Sequence, residues 1–550
     1  MSLILRLAIG FALLTVLATT QAQAPRYRIT GTAVNARTGE PLANIEVSMG
    51  RAEEADAAQS MITGMDGRFH FDNLRRGKYW VEAEGHGFVR QRFEQHEEYA
   101  TAIALGPTVE SDSIVFRLRP DAAIEGTVTD DQGEAIRDGQ VMLFRGGAHD
   151  GADSVQMMTT VPTDDQGHYQ FGHLGPGTYF IAVSARPWYA EMRPGLRPRI
   201  MATFHAAREP EPDPQEQAQF DVAYPITYYS GTSDPNSATP IVIDSGEHAS
   251  ADVALAAVPA VHLRISNAVA DPSQGIGVNL TQRVLGGAVM PVPGETSDLR
   301  NGEVELTGIP AGQYTLALHA GASPGDREKQ ISVSNDTQVD AEDASSSPVI
   351  SGIVRLDTGE PLPQFTAIRF SNHAEGDIGA RINAKGKFEL DAGQSSFQSG
   401  FYDVTIAGPG TFLVKNISAT GARVLGRQIE IQGGNPVRLV VTVSEARGRI
   451  DGIALRDGKP APGVMIVLVP PEFEHNSSLV RRDQSDSDGT FSLFNVLPGK
   501  YTVVAIENGW KLQWLKPEVM QPYLKRGQPV EVTVGARTRI SVDVQPLLAR

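Results

Sequence analysis

The chain has 550 residues, and at roughly 100 to 200 residues per domain that length excludes a single core and predicts three to five domains. Hydrophobic residues make up 41% and charged residues 21%, enough to bury several cores, while 55 Gly and 35 Pro demand many turns. A net charge of −17 disfavours nucleic acid or an anionic membrane surface as partner, and the absence of cysteine excludes disulfides, thiolate zinc sites, iron–sulfur clusters, cysteine nucleophiles and lipidated cysteine anchors.

In chain order, the first predicted element is an address label. Arg6 precedes an apolar run from Leu7 to Ala18 and then small and polar residues through Ala22, the pattern of a secretory signal peptide over 1–22. Cleavage after Ala22 is preferred to cleavage after Ala24, which would leave Pro25 first. The run is shorter than the ~20 residues that span a bilayer, and no later segment is long and apolar enough to cross one. The expected product is exported, hence periplasmic, extracellular or cell-surface associated, with no transmembrane segment in the mature chain.

The rest of the chain repeats one pattern. Gly67, Phe69, Phe71, Leu74, Gly77, Tyr79 and Val81 recur with identical spacing as Gly167, Tyr169, Phe171, Leu174, Gly177, Tyr179 and Ile181. The same spacing returns as Gly302, Val304, Leu306, Ile309, Gly312, Tyr314 and Leu316, and again as Gly489, Phe491, Leu493, Val496, Gly499, Tyr501 and Val503. A further copy, Gly386, Phe388 and Leu390, then Phe397, Gly400, Tyr402 and Val404, carries an insertion in its middle. Upstream of most copies stands a strand–turn–strand signature: Ile29 to Gly31, Ile124 to Val128, Ile350 to Val354 and Ile450 to Gly452. Strands follow at Ile45 to Met49, Val141 to Phe144 and Val464 to Val469, and closing strands at Ile114 to Leu118, Ala251 to Leu255, Arg438 to Val443 and Ile540 to Val544.

Apolar residues at every second position place one strand face on a core, the leading Gly supplies a turn, and the Gly-x-Tyr element matches a tyrosine corner whose hydroxyl reaches nearby backbone. About seven short strands per unit with almost no helical periodicity predict an all-β chain, a tandem array of about five antiparallel β-sandwich modules. Their boundaries fall at 23–120, 121–257, 258–346, 347–446 and 447–550. The third is degenerate, because Val261, Leu263 and Ile265 alternate properly but the opening Gly is missing. The second contains a long acidic, Pro-rich excursion over 186–234, read as a solvated loop. Short connections such as Arg119-Pro120-Asp121 predict a semi-rigid array with its hinge at Ser345 to Pro348.

The opening strands, Asp/Asn-x-x-Gly-x-Phe and Pro-Gly-x-Tyr together resemble the carboxypeptidase regulatory-like domain, a transthyretin-like sandwich close to the Cna-B and starch-binding-like groups, most typically over 121–185 and 447–504. The whole is similar to secreted bacterial proteins built from tandem copies of this domain. The resemblance implies an accessory or adhesive part, and the catalytic unit of the metallocarboxypeptidases is missing: none of the twelve histidines has Glu three residues later.

Gly321-Ala322-Ser323-Pro324-Gly325 matches a nucleophile-elbow string but leads into a strand rather than a helix. Asp486-Ser487-Asp488-Gly489 offers alternate carboxylates to a calcium ion, yet the position where an EF-hand loop has its glutamate is Leu497, so a hairpin turn is favoured. Lys–Asn crosslinks of the Cna-B kind lack a lysine in the second module, and in the first only Lys78 stands beside Tyr79. Trp188, Tyr189, Tyr228 and Tyr229, and then Trp510 and Trp514, fall outside the alternating pattern. They either cap sandwich ends under long loops or form a ligand or partner surface on which sugar rings could stack. The expected function is a non-catalytic exported scaffold, spacer or protein-interaction protein of the cell envelope, with an envelope protein or a polysaccharide as partner and no cofactor or metal. The alternatives are a carbohydrate-binding protein using those aromatics and, remotely, a hydrolase within the excursion.

Overall fold

A computed structural model describes residues 26–52, 58–107, 114–149, 151–190, 220–267, 276–298, 303–320, 327–341, 345–346, 350–372, 376–390, 399–432, 436–445 and 448–548. The signal peptide, most of the acidic excursion, the Gly321 to Gly325 string and Ser347-Pro348 lie outside them. The described chain is almost wholly β-structure, and no helix in it is long and apolar enough to cross a membrane.

Five hydrophobic clusters follow one another along the chain, centred on Phe69 and Phe116, Phe171 and Ile181, Leu306 and Tyr314, Phe370 and Tyr402, and Phe491 and Val503. In the first, a sheet of Arg68–Leu74, Tyr27–Asn35 and Ile114–Leu118 faces a sheet of Gln59–Ile62, Glu46–Arg51, Gly77–Gly85 and Phe88–Arg92, with Ile103–Leu105 also on Gly77–Gly85. The other four repeat the scheme. In the fifth, the closing strand Arg537–Gln545 pairs with both Gly448–Arg456 and Gly499–Ile506, joining the two sheets along one side. One detail departs from the antiparallel expectation. In every sandwich the closing strand runs parallel to the opening strand, as in Gly31 to Asn35 against Ile114 to Leu118, because the chain reaches it by a crossover from the other sheet.

The repeated residues have separate duties. Gly67, Gly167, Gly386 and Gly489 take left-handed φ values of 68° to 77°, and their carbonyls accept from Ala33, Val128, Val354 and Ala454 of the opening strands at 2.7–2.8 Å. The tyrosine hydroxyls of Tyr79, Tyr179 and Tyr501 donate to the carbonyls four residues earlier, Arg75, Gly175 and Leu497, at 2.8–2.9 Å, and Tyr314 does so to Pro310. Each therefore pins the hairpin connection ahead of its own strand.

The opening-strand glycine answers the aromatic two places after the turn. Gly31 pairs across the sheet with Phe69, Gly126 with Tyr169, Gly352 with Phe388 and Gly452 with Phe491. A Cβ at Gly31 or Gly452 would lie 2.4 or 2.2 Å from the facing ring, so only glycine admits it. The third copy inverts the arrangement, since Ile265 stands opposite Val304. Where the ring shrinks to valine the opposite residue grows to isoleucine, and the missing glycine is volume compensation rather than decay.

Among the described strands, Gln140–His149 and Met465–Val469 are buried on both faces, as are Gly177–Ser184 and Gly499–Ile506 beside them. Val141 and Leu143 enter the second core, while Met142 and Phe144 face outward into a separate cluster with Ile226, Tyr228 and Val284, the last supplied by the third sandwich. Likewise Ile466 and Leu468 enter the fifth core, while Met465, Val467 and Val469 meet Trp510, Trp514, Met520 and Tyr523. Those aromatics belong to a segment carrying a 3-10 turn at Gly509–Lys511 and the helix Pro517–Leu524, which the predominantly β pattern did not foretell.

Candidate functional site

The predicted aromatics part company. Trp188 is 80% exposed and meets Tyr189 edge-on at 5.8 Å. Tyr229 is half-buried against the second core, and Tyr228 is buried between the second and third sandwiches. Trp510 and Trp514 are only 7% and 5% exposed, so neither offers a sugar a free face, and the surface reading of Tyr228, Trp510 and Trp514 is corrected. Lying outside the strand alternation, they belong to further buried clusters instead of to solvent, Tyr228 to one and Trp510 with Trp514 to another.

What covers Trp510 and Trp514 comes from the far end of the chain. Trp510 stacks on His96 with ring centroids 5.0 Å apart and planes 6° from parallel, and Tyr99 lies 5.7 Å away. The tip of the hairpin made by Gln140–His149 and Ala152–Pro162 inserts Gly151 against the Trp514 ring, and the Leu515 N–H donates to the Gly151 carbonyl at 3.0 Å. Both indole N–H groups are buried without an acceptor, a cost the ring contacts must offset. The fifth sandwich thus closes onto the first and second.

The polar half of this junction is built on the strand Arg481–Gln484 and the turn after it. Arg482, its side chain 3% exposed, donates to Glu97 at 2.8 Å and Glu98 at 3.4 Å, and its guanidinium lies over the rings of Tyr99 and Trp514 at 4.9 and 5.1 Å. The Gln484 amide donates to the Glu94 carbonyl at 2.7 Å and to the Thr101 hydroxyl at 2.8 Å. The Asp486–Gly489 turn then lies along the free edge of Ile103–Leu105. Ser487 N–H donates to the Ala102 carbonyl at 3.0 Å, Ala102 N–H to an Asp486 oxygen at 3.0 Å, and Ala104 N–H to the Ser487 hydroxyl at 2.8 Å. This is edge-strand recognition with a turn in place of a strand.

The electrostatics follow from burial. The second Asp486 oxygen takes the Lys78 ammonium, yet burial outweighs that partner and holds the carboxyl above its ordinary range. Asp483, buried next to it, is pushed up to about 7 by desolvation, with the charge of Asp486 adding to the shift and the Ser492 and Gln484 N–H groups opposing it. Both oxygens of Asp486 are thereby committed to protein donors, and the Asp486–Gly489 tetrad forms a tight turn closed by Gly489 N–H on the Asp486 carbonyl at 2.8 Å. Among the described residues no three His, Asp or Glu side chains gather as metal ligands would. Lys78 is an ion-pair partner across the junction.

What these groups can do is recognise and hold. Arg482, Gln484, Glu97 and Tyr99 did not stand out in the linear pattern. The only hint was a charged Arg481-Arg482-Asp483 where sibling edge strands carry Gln59 to Ile62 or Val289 to Pro291. A groove of about 630 Å³ beside Glu46, Glu84, His86 and Arg90 contains none of the predicted aromatics.

Comparison with known proteins agrees with the strand pattern. Residues 28–105 and 123–198 match the family model of the carboxypeptidase regulatory-like domain, and 449–522 match that of the second β-sandwich domain of the BOS complex subunit NOMO1-like proteins. No curated protein sequence matches the chain. Among solved structures, the Bacillus anthracis TIE protein is 11% identical, covering 78% of this chain and 75% of its own, with a TM-score of 0.17. A Streptococcal ancillary pilin is 12% identical over 59% of this chain and 100% of its own, with a TM-score of 0.18. The shaft pilin SpaA of Lactobacillus rhamnosus GG is 9% identical over 43% and 98%, with a TM-score of 0.19. Scores this low carry no argument about this chain's shape or activity. The chain is therefore one that carries carboxypeptidase regulatory-like domains, at 28–105 and 123–198, in series with a NOMO-like β-sandwich domain at 449–522.

Proposed function

We propose that the chain is a non-catalytic, exported scaffold of the cell envelope that holds its sandwiches in a closed arrangement and offers their outer loops and edges to protein partners. One observation carries the reading: the fifth sandwich spends its most polar strand and its two tryptophans on the first and second. A spacer has no use for such a contact, since folding the chain back shortens its reach. Small-angle scattering of the intact chain tests it. The closed form gives a compact particle whose radius of gyration grows when Arg482 is replaced, and a wild-type chain already extended in solution overturns the reading. Affinity capture from native envelope extract then identifies the partner.

A second reading, carbohydrate binding, is favoured by Trp188 alone, because it is exposed and has Tyr189 at its edge. Polysaccharide retention that is lost in Trp188→Ala supports it, and no retention of the intact chain removes it. Silence in broad esterase and peptidase assays closes the hydrolase alternative.

A further inference from the structure

The contacts made by residues 94–104 are those of a bound ligand. An arginine forks onto two glutamates and lies over a tyrosine, an indole stacks on the neighbouring histidine, and main-chain groups pair at Ala102 and Ala104. Charge fork, aromatic box and edge pairing are the three devices by which extended peptides are usually held. The two sides are far apart in the chain, with hydrogen-bonded partners 383 to 408 positions apart. Nothing in this geometry requires both sides to come from one molecule.

We propose that the Arg482, Gln484 and Trp510 face is a recognition site for the acidic, aromatic segment Glu94 to Thr101, and that it takes this segment from a second copy of the chain when its own is displaced. The inference rests on the scaffold reading and names its partner. With a net charge of −17, two copies repel at large, so association needs a cationic clamp aimed at an acidic loop, which is what Arg482 and Glu97 with Glu98 supply. Exchange of an identical contact between copies leaves every interaction intact and so costs little beyond association itself. Tethering gives the chain's own segment an effective concentration on the order of millimolar if the path allows closure, so the dilute chain is a closed monomer and crowding favours the exchanged pair.

Trans-complementation with full-length chains tests this. Arg482→Glu keeps the segment but loses the clamp, while the double variant Glu97→Arg with Glu98→Arg keeps the clamp but loses the segment. Each alone is expected to sediment as an expanded monomer. Mixed in equal amounts they are expected to form a species of twice the mass, because one intact junction forms between them and the other is charge-reversed yet complementary. An excess of synthetic peptide spanning residues 93–104 should dissolve that species. A mixture that stays monomeric while both variants are expanded overturns the proposal and leaves the closed scaffold standing. Variants that remain as compact as wild type also overturn it, since Arg482 then does not hold the segment. Should Arg482→Glu fail to fold, immobilised peptide 93–104 replaces it as bait. Capture of the Glu97→Arg, Glu98→Arg chain, weakened at least tenfold by Tyr99→Ala in the peptide, is the supporting result, and no capture is the overturning one.

Discussion

The joint between the second and third sandwiches and the junction between the fifth and the first bury similar strands in opposite chemistry. At the former, Met142, Phe144, Ile226, Tyr228 and Val284 interleave with scarcely any solvent exposure. At the latter, Trp510 and Trp514 are overlaid by Arg482, His96 and Tyr99, while beside them Arg482 donates to Glu97, Gln484 to the Glu94 carbonyl and the Ala102 N–H to Asp486. An apolar seam loses stability in proportion to the surface it exposes on opening, whereas charged groups regain water and a buried ion pair offsets its own desolvation only in part. On this balance the apolar joint is expected to open less readily than the polar one.

Phe144→Ala should do the greatest damage, about 3–5 kcal/mol in chemical denaturation, because it opens a cavity between two sandwiches. Equal losses at both joints would erase the distinction. Arg482→Ala should cost about 2–4 kcal/mol of docking by leaving Glu97 without its cation, yet leave the sandwich cores folded by circular dichroism while scattering reports expansion. Gly452→Ala should cost about 1–3 kcal/mol by forcing a Cβ into the Phe491 ring, and Phe491→Val should recover part of it. That coupling tests whether Ile265 and Val304 compensate each other.

Asp483 predicts a pH effect peculiar to the polar junction. Its carboxyl is raised to about 7 in the folded chain from 3.8. The stability it contributes is complete below pH 3.8 and is lost as pH rises through 7, by about 1 kcal/mol between pH 6 and 8. Asp483→Asn should flatten that slope in denaturation curves recorded at the two pH values. The smallest effect is expected of Trp188→Ala, within about 0.5 kcal/mol, because the side chain is exposed.

The sandwich was legible because each of its constraints is local. The turn glycine, the Gly-x-Tyr corner and the period-two alternation all operate within a few residues or across one hairpin, as Tyr179 on Gly175 illustrates. Two-sided burial was legible in principle, since Val464 to Val469 is an unbroken apolar run where Glu46 to Arg51 alternates. Its covering was not, because nothing in the order of residues says that the segment around Trp510 folds back on that strand. Departure from alternation showed that Trp510 lay outside the sandwich core and left a packed cap and a free surface both open; its burial fits the cap. Arg482 and Glu97 were invisible for a plainer reason: a charged residue in an edge strand is ordinary protection until its distant counterpart is seen.

The exchange of Gly–aromatic for Ile265–Val304 in the third sandwich bears on how such a chain assembles without confusion. Tandem copies risk trading strands with a neighbour during folding, and the danger grows with their likeness. An opening strand from the second or fourth copy, seated on the hairpin of the third, would leave a void beside Val304, and the strand holding Ile265 would collide with Tyr169 or Phe388 if seated on theirs. The odd copy, placed midway, would therefore act as a checkpoint that rejects its neighbours' strands by volume alone.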